Sequence, residues 1–201
     1  MRMVTDDGAL WQSLKNGDHD SFQAIYFSHF DSLYSYGLRI AGDRDLVKDC
    51  IHDLFLKIWT NKSGLADVTA IRSYLLVSLR STLFNRLQQM KRVTVSEINE
   101  QHPFELVFSA ESDYIRKEEN LLQSQKLLEA LNQLSPRQKE VIYLRYFEEL
   151  GYEEIAGIMN ITVKATYKLT ARGLETLRQV LHLSPFLLLM LIGYARAGAH
   201  S

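Results

Sequence analysis

Cysteine is nearly missing from this 201-residue chain, where Cys50 stands alone. One thiol excludes an internal disulfide framework and any multi-cysteine zinc site. Proline and glycine are scarce too, at three and ten residues, so little interrupts long helices. Neither charge sign dominates: 23 Lys plus Arg against 24 Asp plus Glu give a net charge of -1. That balance is unlike a chain that is basic throughout, and it confines any nucleic-acid contact to local patches. The six histidines fall at no metal-ligand spacing. No apolar signal core opens the chain, since Trp11 and Leu14 sit among polar residues. A reducing, cytoplasmic setting is the expectation. We find no internal repeat, glycine-rich phosphate loop, pair of catalytic carboxylates or nucleophile beside a base. The reading is therefore of a chain with no catalytic residues, metal, cofactor or small-molecule substrate.

What is present is helical periodicity. Hydrophobic residues make up 46% of the chain, enough to build cores. Three helical blocks are expected within residues 9–92. Asp20 and Gln23 read as a capping box opening the first block, followed by Phe22, Ile25, Tyr26, Phe30, Leu33 and Tyr34 at helical spacing. Tyr26, Phe27, Phe30, Tyr34 and Tyr36 are assigned to the core, and Cys50 is expected as a buried small hydrophobe. The second block carries the stripe Val47, Ile51, Leu54, Ile58. Its other side bears Lys48, Asp49, His52, Asp53, Leu56 and Lys57. Residues 60–68 read as a loop. The third block runs through Ile71, Leu75, Leu79, Leu83 and Leu87 to Lys91 and Arg92.

Periodicity fades over 93–118, which is acidic and broken by Pro103. So long an aperiodic stretch implies a linker between two domains. The fold class expected is all-α: two helical domains, 1–92 and 119–183, joined by a flexible linker over 93–118. In the second domain, Ser135-Pro136-Arg137-Gln138 is a capping box with proline at the first helical position. Two further helices, 152–159 and from 163 onward, are separated by a short break. Asn160 suits the left-handed conformation of a tight turn, and Thr162 can cap the helix that follows. Residues 184–201 form a tail containing Phe186-Leu187-Leu188-Leu189-Met190-Leu191-Ile192, too short to span a bilayer comfortably. Packing on the second domain ranks ahead of a partner or membrane role for it.

Helix, short break, helix is the helix-turn-helix plan. Ile155, Ala156, Met159, Ile161, Val163, Leu174 and Leu177 can supply its buried seam. Lys164, Ala165, Tyr167, Lys168, Ala171 and Arg172 are left for an outward face, suited to a major groove. On pattern alone, a helical bundle with a solvated basic face remains open. So does a helix-turn-helix regulator that works without polymerase.

The motifs narrow this. Leu134-Ser135-Pro136-Arg137-Gln138-Lys139-Glu140-Val141, Leu144-Arg145, Tyr152-Glu153-Glu154-Ile155-Ala156 and Ile161-Thr162-Val163-Lys164 resemble, in order and spacing, the C-terminal promoter-binding domain of bacterial sigma factors. Asp49 through Trp59 is similar to the family's core-polymerase-binding helix. Ile71-Arg72-Ser73-Tyr74-Leu75, Arg80, Asn85-Arg86-Leu87 and Lys91-Arg92 are similar to its -10-reading segment. With no large domain between the two halves, the resemblance is to the extracytoplasmic-function group. It departs from the family pattern at Gly151, Thr166, Thr170, Gly173, Tyr74 and Ser81.

The resemblance implies a transcription initiation factor with three kinds of partner: core RNA polymerase, promoter DNA and an anti-sigma factor. It implies -35 contacts from Thr162, Lys164, Ala165, Thr166, Tyr167, Lys168 and Arg172. It implies -10 contacts from Asn61, Lys62, Arg72, Arg80, Ser81, Asn85, Arg86, Lys91 and Arg92, with the 60–68 loop forming a base pocket beside Arg72, Arg80 and Asn85. Polymerase contacts are implied for Asp49, His52, Asp53, Leu56 and Lys57.

Overall fold

A computed structural model describes residues 7–91, 104–105 and 129–181. The chain divides into two compact units, Met1–Asn99 and Glu100–Ser201. Among the described residues every regular element is helical. The apolar tail, Arg92 and the 93–118 stretch apart from residues 104–105 lie outside the described residues.

The N-terminal unit holds α1 (Asp7–Lys15), α2 (His19–Ala41), α3 (Arg44–Thr60), a short 3-10 turn (Lys62–Gly64) and α4 (Ile71–Lys91). Helices α2, α3 and α4 pack on one another in all three pairings. That makes four helices where three blocks were expected, because α1 is too short to show a convincing stripe. Trp11 and Leu14 of α1 are nonetheless fully buried. The cap of α2 is Asp18 rather than Asp20. Its carboxylate accepts both the Ser21 amide (2.8 Å) and the Ser21 hydroxyl (2.5 Å), and the hydroxyl is the partner that decides between two nearby aspartates. Asp43 caps α3 by accepting from the amides of Asp45 and Leu46. Gly42, at φ 67°, closes α2 in the left-handed region. Val47, Cys50, Ile51, Leu54, Phe55 and Ile58 line the buried side of α3. They meet Leu75, Leu79 and Leu83 of α4 in the unit's core. Gly37, mid-helix in α2, lets Val47 approach: a β-carbon there would stand 2.7 Å from the Val47 Cγ1 atom.

The C-terminal unit holds α5 (Pro136–Ile142), a π-helical turn (Tyr143–Phe147), α6 (Tyr152–Met159) and α7 (Val163–Leu181). The capping box at Ser135 is present: its hydroxyl accepts the Gln138 amide (3.3 Å), and the Gln138 side chain accepts the Ser135 amide (2.8 Å). Against α7, α5 packs closely at Gly173, where a β-carbon would meet the Ile142 Cδ1 atom at 2.9 Å. The π turn was not anticipated. It brings Tyr143 and Phe147 into a stack at 5.6 Å, and the Tyr143 hydroxyl donates to the buried Glu148 carboxylate at 2.5 Å. Phe104 departs from the expected linker behaviour. It is buried beside Tyr143, ring centroids 5.7 Å apart, and so belongs to the core of this unit.

Candidate functional site

The break between α6 and α7 is built as its residues dictate. Asn160 takes the left-handed conformation, φ 51° and ψ 53°. Its amide donates to the Gly157 carbonyl, and the Ile161 amide donates to the Ala156 carbonyl at 3.0 Å. The Thr162 hydroxyl accepts the Ala165 amide at 3.2 Å, capping α7. Ile155, Ala156, Ile158 and Met159 are buried on α6, and Leu177 on α7. Val163 and Leu174 of the expected seam are half-buried.

In the first half of α7, Lys164, Tyr167, Lys168, Ala171 and Arg172 are exposed, with Ala165 half-buried. These positions recur every three or four residues and form one face. Thr166 is a correction. It is fully buried, and its hydroxyl donates to the Thr162 carbonyl, so it lies in the seam and not on the outward face. Its position one residue before Tyr167 turns it about 100° around the helix. Tyr167 is 52% exposed and stacks on Tyr152, the first residue of α6, at 3.9 Å between centroids.

In the N-terminal unit, Asp49, His52, Leu56 and Lys57 are exposed along α3 and Asp53 is half-buried. Next to this face, α2 and α3 enclose an open groove of about 390 Å³. Phe22, Phe55 and Trp59 form its floor, with Phe27, His52 and Leu56 on its rims. Phe22 and Trp59 pack at 5.0 Å, and Tyr26 packs on Phe55 at 4.8 Å. Phe27 corrects the expectation that it is core: it is 73% exposed, and Leu56 is 54% exposed. The missed signal was adjacency. Two consecutive helical aromatics point about 100° apart, and Tyr26 already takes the inward place. On α3, Cys50 is fully buried, and desolvation pushes its thiol pKa up.

The third cluster is spread along α4. Ser81, Asn85 and Arg86 are exposed and Arg72 is half-buried. Arg80 is buried, with its guanidinium 4.3 Å from the Phe84 ring centre. It is therefore not a surface cation, contrary to its assignment to DNA. Stacking on an i+4 aromatic lets the side chain lie along the helix. The single pocket expected from the 60–68 loop with Arg72, Arg80 and Asn85 does not form. Asn85 lies about 20 Å along α4 from Arg72. The loop is instead fastened to α1. Trp11 Nε1 donates to the Ala66 carbonyl at 2.9 Å, and Lys15 and Gln12 bind the Asp67 carboxylate, which holds its pKa below the usual range. Asp7 accepts the Ile71 amide at the start of α4 (3.0 Å). Asn61 donates its side-chain amide to the Lys57 carbonyl, and the Lys62 ammonium lies 4.4 Å over Trp59. Arg86 pairs with Asp53 at 2.9 Å. This contact raises the Arg86 pKa and joins α4 to α3.

Set beside known proteins, residues 124–177 match the model for sigma-70, region 4. That span contains the capping box at Ser135, the α6–α7 break and most of α7. The chain is 24% identical over 141 residues to the RNA polymerase sigma factor YlaC of Bacillus subtilis, covering 70% of this chain and 80% of YlaC. It is 22% identical over 175 residues to the ECF RNA polymerase sigma factor SigW of the same organism, covering 85% and 94%. Among solved structures, the sigma factor RpoE in complex with the anti-sigma factor NepR from Bartonella quintana aligns with a TM-score of 0.59. That alignment covers 82% of this chain and 99% of its counterpart at 18% identity, a likeness of fold. Relatives named as RNA polymerase sigma factors thus cover most of the chain at 22–24% identity, and the C-terminal unit is similar to sigma-70, region 4.

Proposed function

We propose that the chain joins core RNA polymerase through its N-terminal unit and directs transcription initiation at promoters whose -35 element is read by α7. The observation that carries this is the face of α7. Lys164, Tyr167, Lys168 and Arg172 stand exposed directly after the capped turn at Asn160, where a recognition helix meets base edges. The cations neutralise phosphates and give affinity a salt dependence.

For polymerase, the proposal uses the α2–α3 groove with its polar border of Asp49, His52, Asp53 and Lys57. An aromatic-floored cleft with apolar rims and charged edges suits an amphipathic helix laid across it. For the -10 element it uses the exposed Ser81, Asn85 and Arg86 of α4, with Arg72 and the Asn61–Lys62 turn as a separate patch. The domain limits in this reading are 1–92, a linker over 93–118 shortened by the docked Phe104, and 119–183 with the tail beyond. The chain itself carries out no covalent chemistry and works in the cytoplasm with polymerase. Among the described residues no helix is long and apolar enough to cross a membrane. An anti-sigma factor that covers the groove would hold the chain off polymerase.

The test is co-purification with core enzyme followed by run-off transcription from a fragment library. Leu56→Glu and Asp53→Arg should each abolish co-purification while far-ultraviolet circular dichroism stays unchanged. Retention of both variants on core enzyme would overturn the groove assignment. Sequence-selective duplex binding by the chain without polymerase, and no transcription with it, would favour a helix-turn-helix regulator.

A further inference from the structure

Among the exposed side chains of α7, Tyr167 differs from its neighbours in kind. Lys164, Lys168 and Arg172 carry charge on long, exposed stems. Tyr167 is an aromatic ring, 52% exposed, that is already held. Its ring lies against Tyr152 at 3.9 Å with 29° between planes. The support beneath it is also built. Tyr152 begins α6 immediately after Gly151, whose amide donates to the Glu154 carboxylate at 2.8 Å. The Arg145 guanidinium stands 5.0 Å over the Tyr152 ring, and its Nη1 donates to the Leu150 carbonyl at 2.8 Å. Arg145, Tyr152 and Tyr167 thus form a ladder that fixes one ring on the recognition face. A ring fixed before binding loses little rotamer freedom on contact, so it can discriminate by shape.

What it can discriminate follows from the groove. The major groove presents hydrogen-bonding groups and one apolar group, the thymine 5-methyl. The lysines and Arg172 supply donors only. An aromatic ring supplies the apolar surface they lack, and it lies in the N-terminal turns of the helix, where base edges are met. We infer that Tyr167 reads the 5-methyl group of a thymine in the -35 element, and that Tyr152 is its positioning residue. The inference rests on the proposed reading of DNA by α7.

The test uses the full chain assembled with core polymerase and a duplex promoter selected by that assembly. Each thymine of the -35 element is replaced in turn by deoxyuridine, which removes only the methyl. Affinity is read by fluorescence anisotropy. One position should lose about fourfold in affinity, the equivalent of one methyl group returned to water. Tyr167→Ala should erase that difference, and Lys164→Ala should preserve it. Tyr167→Phe should also preserve it, because the methyl contact needs no hydroxyl. Tyr152→Phe should keep the stack and the discrimination, whereas Tyr152→Ala should cut the difference below about twofold with helicity unchanged. A methyl penalty that survives Tyr167→Ala, or the lack of any uracil-sensitive position, overturns the tyrosine assignment while leaving promoter reading intact. If Tyr167→Phe alone abolishes binding, the hydroxyl is holding a phosphate and the methyl reading is overturned. Failure of the assembly to select any duplex sequence would overturn the DNA reading itself.

Discussion

Gly37→Ala should destabilise the N-terminal unit even though it replaces a helix-interior glycine by the best helix former. The new β-carbon would stand 2.7 Å from the Val47 Cγ1 atom, and 3.4 Å from both the Leu83 Cδ1 and Val47 Cγ2 atoms. Carbon atoms rest at about 3.5–4.0 Å, so the first contact is short by about 1 Å. Val47 is fully buried, and a β-branched side chain has little rotamer freedom to yield. Helices α2 and α3 must part. Overpacking of this kind costs about 1–3 kcal/mol, and removing the glycine returns about 1 kcal/mol. The net loss should be about 1 kcal/mol. Val47→Ala alone should cost about 2 kcal/mol through the space it leaves. In the double variant the two changes fit each other, so the losses should fall short of additive by about 1–2 kcal/mol. The assay is urea unfolding followed by tryptophan fluorescence. The chain's two tryptophans, Trp11 and Trp59, both lie in the N-terminal unit, so the signal reports that unit alone. If Gly37→Ala matches or exceeds the parent in stability, or the two changes simply add, the close approach does not set the spacing of α2 and α3.

Three further outcomes follow from local geometry. Hydrogen bonds from the Ser21 hydroxyl and amide hold the Asp18 carboxyl below its ordinary pKa. Its contribution is therefore present above the usual carboxylate range and lost as pH falls through the lowered value. Asp18→Asn, which caps without titrating, should make the acid loss of stability between about pH 5 and pH 2 shallower in the same fluorescence assay; an unchanged slope would show that the cap does not drive it. Thr166→Val should leave promoter affinity within about twofold and stability undiminished, since the Thr162 carbonyl still accepts the Thr166 amide; a large affinity loss in anisotropy would restore Thr166 to the DNA face. Asn160→Gly should be tolerated, while Asn160→Ala should lower the melting stability of the C-terminal unit by about 1 kcal/mol, measured by circular dichroism. Equal melting of the two variants would mean that the left-handed turn imposes no cost.

What could be read from sequence was what local chemistry decides. Ser135 with Gln138, Asn160 and Thr162 each act on residues a few positions away, and each was placed correctly. Cys50 and the α3 stripe were equally legible, because a single period separates buried from exposed. The misreadings arise where the local pattern permits two arrangements and one particular side chain selects between them. Asp18 and Asp20 both suit a cap, and the Ser21 hydroxyl selects the first. Arg80 reads as a solvated cation until Phe84 offers its ring. Phe27 reads as core until Tyr26 fills the inward position. Periodicity gave no warning of the π turn, which moves Tyr143 and Phe147 into register with each other. Nor did it show α1, whose Trp11 and Gln12 fasten a loop more than fifty positions away.

The buried Phe104 changes where the C-terminal unit can be cut. By composition the natural place to start a fragment is near residue 119, past the acidic stretch. Such a fragment would lack Phe104 and leave the neighbouring Tyr143 ring uncovered, inviting self-association through an aromatic patch. A protease working through the same stretch should respect the contact, with peptide bonds around Phe104 resisting cleavage longer than bonds in exposed chain. The piece of this protein that can be produced and handled alone therefore begins upstream of Phe104, inside what composition marks as connector.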